Sequence, residues 1–123
     1  MSKWRVKKGN ASIQDIPIYD RDGALLTKAK LASATEIIFQ VKATRDAASA
    51  VIEKKLSDAE IEINAPSDGW IRISLLPADT NIAEDYYVMA LEITFSETEK
   101  YEAILKIDDM ETDTFQIEEQ VII

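Results

Sequence analysis

The chain has 123 residues, a net charge of −9, and neither cysteine nor histidine. One ordinary core is within reach of this length, two are not. The missing side chains exclude disulfide staples, thiolate zinc sites and cysteine nucleophiles, and they remove the commonest general base and metal ligand. An enzyme is therefore disfavoured, and no cofactor is expected.

Charge is unevenly spread. Residues 1–83 carry 12 basic and 11 acidic side chains, residues 84–123 only 2 basic and 12 acidic. An acidic C-terminal third repels phosphate backbones, so nucleic acid is not an expected partner. No run of apolar residues is long enough to span a bilayer as a helix, so membrane insertion is not expected. The opening Met-Ser-Lys-Trp-Arg-Val lacks a signal peptide's apolar segment, which implies synthesis in a cytoplasm without signal-directed export.

In chain order, Trp4 to Lys7 predicts a first strand, with Trp4 and Val6 alternating against Arg5 and Lys7. Gly9-Asn10 breaks it. Ile13 to Tyr19 predicts a second extended run, which Pro17 places at an edge or bulge. Asp20 to Gly23 is a tight turn. Ala24 to Ala34 is expected to be irregular, with Leu25 and Leu26 plugging the core's end. Thr35 to Ala43 predicts a central strand with Ile37, Phe39 and Val41 on one face.

Residues 44–56 admit a short helix or a loop followed by a strand over Ala50–Lys54. The strand is preferred, because so short a helix is marginal without packing. Glu60 to Ile63 alternates and stops at the turn Ala65 to Gly69. Trp70 to Leu75 is the next strand, and Pro77 to Thr80 a turn. The longest strand, Tyr86 to Phe95, places Tyr87, Met89, Leu91, Ile93 and Phe95 on one face. Ser96 to Glu99 then makes a hairpin with Lys100–Ile107. After an acidic loop, Asp108–Asp113, a last strand runs from Thr114 to Ile123. Strand-like runs every 10–15 residues predict an all-β fold, an immunoglobulin-like antiparallel β-sandwich of seven to eight strands in one domain over residues 1–123.

Candidate chemistry is sparse. Asp109, Glu111 and Asp113 match the first ligand positions of a calcium loop, but Thr114 stands where glycine is needed and Gln120 where glutamate is needed. They read as a solvated loop, with no metal. Asp20 and Asp22 read as turn residues, Glu60 and Glu62 as a solvent face. Trp70 and Tyr87 read as core anchors. Trp4 and Tyr86 are candidates for a subunit interface, where amphipathic rings are favoured.

The order of segments resembles the N-terminal domain of phage baseplate upper proteins. The matching pieces are Lys7-Lys8-Gly9-Asn10, the turn Asp20 to Gly23 leading to Leu26, and Ile37 to Val41. They continue with Val51-Ile52-Glu53-Lys54, Leu56-Ser57-Asp58, Ile61-Glu62-Ile63, Gly69, Ile71 to Leu75, Asp79-Thr80 and Tyr86 to Phe95. Glu84-Asp85 replaces the glycine usual before the tyrosine, and the link at Asp108–Asp113 is longer and more acidic. The resemblance supports a strand at Ala50–Lys54.

It also implies a virion structural protein, a compact baseplate, tail or fibre adaptor located in the virion. Its partners would be other virion proteins and copies of itself, as a trimer or hexamer. The apolar end Val121, Ile122 and Ile123 either docks on a neighbour as an added strand or completes its own sheet. The alternative is a carbohydrate- or host-surface-binding module.

Overall fold

The computed structural model describes residues 3–119. The fold is all-β, with one short helix. The strands are β1 (Trp4–Lys7), β2 (Ser12–Pro17), β3 (Glu36–Lys42), β4 (Ile52–Lys55), β5 (Ile61–Ile63), β6 (Trp70–Leu75), β7 (Asp85–Thr94), β8 (Lys100–Ala103), β9 (Lys106–Ile107), β10 (Met110–Glu111) and β11 (Thr114–Glu118); helix α1 is Lys28–Ala32. The main sheet runs β1-β11-β7-β3-β4, and β8 also pairs with β7. A three-stranded sheet runs β2-β6-β5, and β9 with β10 makes a small hairpin.

Period-2 alternation does the sorting. The inward residues Ile37, Phe39 and Val41 of β3, and Met89, Leu91 and Ile93 of β7, are wholly buried. Ile71 and Ile73 of β6 and Phe115 of β11 are buried with them, in one cluster shared by both sheets. β3 and β7 pair from Glu36↔Thr94 to Lys42↔Val88, and this long ladder forms the middle of the main sheet.

Several sequence expectations hold. β6 covers Trp70–Leu75 as predicted, and the 44–56 segment is a loop followed by strand β4. Other details differ. The main sheet is mixed, not purely antiparallel, because β1 runs parallel to β11 from Trp4↔Phe115 to Lys7↔Glu118. Period-2 patterning fixes which face a residue occupies but carries no information on strand direction, so sequence could not reveal this.

The irregular segment holds α1, capped by Thr27 Oγ1 accepting the Lys30 N–H at 3.1 Å. Its Leu31 is fully buried beside Leu26, while Leu25 stays exposed. The predicted strand Lys100–Ile107 breaks after Ala103. β8 pairs with the C-terminal half of β7, the chain leaves the sheet through the β9–β10 hairpin, and β11 rejoins β7 beyond the gap. Asp108 and Asp109 make that hairpin's turn at φ 54° and 63°, a conformation that aspartate tolerates better than most residues.

Two local contacts matter further on. The Tyr87 hydroxyl donates to the Ala83 carbonyl at 2.6 Å, across the corner leading into β7. Gly69 (φ 84°) donates its N–H to Asn64 Oδ1 and accepts from Ile18 N–H. A Cβ at Gly69 would collide with the Leu26 carbonyl oxygen, so no other residue fits this turn.

Burial, and after it the charge of Asp85, raises the Tyr87 phenol above its ordinary 10.0. The stability this contributes is complete below pH 10 and is lost as pH rises through the raised value. Tyr87→Phe is expected to cost about 1 kcal/mol at neutral pH through the lost hydrogen bond and to flatten the alkaline fall in stability, both read from urea unfolding across pH. Ala59 sits in the left-handed region (φ 59°, ψ 28°) after the 3-10 turn Leu56–Asp58. Ala59→Gly should raise stability by about 0.5–1 kcal/mol, visible as a higher melting temperature.

Candidate functional site

The outward residues of the main sheet form a shallow groove. Its floor is Ile38 of β3 and Val88 and Ala90 of β7, all half-buried. The small Ala90 side chain makes the dip. Lys42, Arg45, Glu92 and Glu102 stand around it.

The rim is organised by charge. Glu92 and Glu102 are direct cross-strand partners, a destabilising arrangement for like charges. Each is answered by a cation. Lys100 Nζ lies 3.4 Å from Glu92, and Arg45 Nη1 lies 3.2 Å from Glu102. Arg45, from the β3–β4 loop, also reaches Asp113 at 3.6 Å. It thus spans the gap where the chain leaves β7, and the groove continues into that gap past Ala103 and Thr112. The Met89 N–H, which β8 does not reach, donates to the Asp113 carbonyl at 2.8 Å.

The second notable cluster is internal. Lys54 of β4 alternates inward with Ile52, opposite Phe39, and its side chain is only 6% exposed. Its Nζ lies 2.8 Å from Asp79 Oδ2 and 3.2 Å from Glu60 Oε2. Both acids are held from behind. Asp79 Oδ2 accepts the Leu76 N–H at 2.7 Å, and Glu60 Oε1 the Lys55 N–H at 3.2 Å. Burial works against the Lys54 charge, but the hydrogen bonds it donates to Asp79 and Glu60 outweigh that and raise the pKa above 10.5. The adjoining Thr80 is fully buried and donates to the Asn10 carbonyl at 2.7 Å. Together these contacts pin the β6–β7 turn to β4 and to the turn after β1.

The residues singled out from sequence are scattered. Trp4 is 2% exposed, packed against Phe39 and Phe115 with its Nε1 donating to Ser12 Oγ at 2.9 Å. It is a core residue and unavailable for a subunit interface. An aromatic on a strand beside basic residues reads as amphipathic, and only the chain folded over β1 shows its surroundings. Tyr86 is on the surface at 59%, with the Lys3 ammonium 4.8 Å from its ring centre. Val121, Ile122 and Ile123 lie outside the described residues. Trp70 is half-buried on the outer face of the smaller sheet, not inside it.

Asp20 serves its own turn, accepting the Asp22 and Ala24 N–H groups at 2.9 Å. Glu60 is not on a solvent face but in the Lys54 cluster. Among the described residues no group of three or more acidic side chains is arranged to hold a metal ion, and no helix is long and apolar enough to cross a membrane.

Sequence reading missed Arg45, Ala90 and the Lys54 cluster. For Lys54 a signal existed: its two-residue spacing from Ile52 puts it on the buried face. Arg45 and Ala90 carry no such mark, since they meet only through pairing of distant segments.

Compared with known proteins, the chain matches no family model, no curated sequence and no solved structure.

Lys54→Ala would leave two carboxylates converging on a position without its cation. A loss of about 2 kcal/mol is expected, moderated by the water contact both acids retain. Chemical denaturation of the variant beside the parent chain at pH 7 checks it.

Proposed function

We propose that this chain is a protein-binding structural module of a bacteriophage virion, a baseplate, tail or fibre adaptor built on an immunoglobulin-like β-sandwich. The strand order supports the fold: β2, β6 and β5 sit as strands B, E and D do in immunoglobulin domains, and β3, β7 and β11 as C, F and G. The Tyr87 hydroxyl bonded to the Ala83 carbonyl at the entry to β7 is the counterpart of the tyrosine corner of such sandwiches. β1 lying parallel on β11 departs from a purely antiparallel arrangement without altering that order.

The observation that carries the binding role is the groove on the main sheet. A small apolar floor of Ile38, Val88 and Ala90 within a rim of both charge signs suits a protein partner, with the rim charges giving register and selectivity. The virion context rests on the order of sequence segments shared with baseplate upper proteins. Other virion proteins and further copies of the chain, in a trimer or hexamer, are the proposed partners.

A sugar-binding role draws less support. Of the nine aromatic residues only Tyr86 is largely exposed, one ring where sugar stacking favours a platform of several.

Light scattering across a concentration series tests the reading. A discrete oligomer is expected, and Ala90→Arg, which fills the groove with a long charged side chain, should shift it to monomer without lowering the melting temperature by more than a few degrees. An oligomer untouched by Ala90→Arg would remove the groove from the interface. A strict monomer that also fails to bind particles lacking it would end the assembly proposal.

A further inference from the structure

The Lys54 cluster brings together an amine, a carboxylate it can attack, and a second carboxylate able to move protons between them. We propose that Lys54 and Asp79 condense into an intramolecular isopeptide bond, with Glu60 as the proton carrier, giving this cysteine-free chain a covalent cross-link.

Three observations meet in this assignment. The first is approach: Nζ stands 2.8 Å from Asp79 Oδ2, so amine and carboxyl group are already in direct contact. The second is enclosure. The Lys54 side chain is almost entirely buried opposite Phe39, which confines its amine to the two carboxylates it touches. The third is preorganisation. The Leu76 N–H at 2.7 Å from Asp79 Oδ2 is placed to stabilise the oxyanion of a tetrahedral intermediate. Glu60, oriented by the Lys55 N–H, keeps its other oxygen on Nζ.

The step balances without any co-reactant. The ammonium of Lys54 gives up one proton, relayed by Glu60 to Oδ1 of the Asp79 carboxylate, leaving a free amine and a carboxylic acid. The amine lone pair forms the N–C bond at Cγ of Asp79. Glu60 removes a second proton from the nitrogen and delivers it to Oδ1, which departs as water while Oδ2 remains as the amide oxygen. One cation and one anion are consumed, and Glu60 ends as the carboxylate it began as. The product links β4 to the β6–β7 turn and closes a loop through β5 and β6, a constraint suited to a subunit bearing mechanical load in a compartment where disulfides do not persist.

Intact-mass spectrometry of the full chain, folded and aged at neutral pH, reads the outcome directly. The expected mass is one water below that of the sequence, with tandem spectra of a digest showing a branched peptide joining Lys54 to Asp79. Lys54→Arg preserves the ion pair but offers no attacking amine, and should restore the full mass with the fold intact by circular dichroism. Glu60→Gln should slow conversion at least tenfold. Asp22-Gly23 and Asp68-Gly69 can also lose water by cyclising their own backbone, so a deficit that persists in Lys54→Arg would belong to one of them and would overturn the proposal. Full mass in the aged wild-type chain would equally overturn it, leaving Lys54, Asp79 and Glu60 as an ion-pair cluster.

Discussion

The ladder between β3 and β7 is the constraint on which the remaining structure hangs. It aligns Ile37, Phe39 and Val41 with Ile93, Leu91 and Met89 on one buried face. A shift of one residue would turn all of them to solvent, so the register is strongly fixed by burial. Every other strand of the main sheet is placed from these two: β4 on the free edge of β3, β8 and β11 on the other edge of β7, and β1 on β11. The core that closes over this ladder draws Trp4 and Phe115 into contact with Phe39.

The same ladder creates the outer groove. Residues that alternate with the core set must face out, and here they are Ile38, Gln40 and Lys42 against Glu92, Ala90 and Val88. A small side chain at the centre and charges of both signs at the margin follow from that register. The broken strand sharpens the site. Because the chain leaves β7 after Ala103 and returns at Thr114, a gap opens beside Met89, and Arg45 closes across it onto Glu102 and Asp113. These are exposed pairs that position the rim and add little stability.

Inside the molecule, polar groups are concentrated where two turns meet strand β4. Lys54, Glu60 and Asp79 satisfy one another, the neighbouring Thr80 donates to the Asn10 carbonyl, and together they tie the β6–β7 turn to β4 and to the turn after β1. A buried ammonium is tolerated only where its partners are fixed, and both carboxylates here are fixed by backbone N–H groups. That fixity underlies the stability role of the cluster and the cross-linking chemistry proposed for it.

By itself the sequence determined the class of fold, nearly all strand positions, and which face of each strand is buried. Alternation of apolar residues is local and survives into the structure, as at Tyr87, Met89, Leu91, Ile93 and Phe95. Tertiary structure alone decided what depends on distant segments meeting. Trp4 went into the core because β1 lies against β11, parallel to it. The run after Lys100 split because β11 takes over the edge of β7 that β8 leaves. Leu31 became core through a single capped turn too short to show a helical period. Arg45 joined Glu102 and Asp113, and Lys54 joined Asp79, across separations that no local pattern encodes, since side-chain pairing across a fold is set by register and packing.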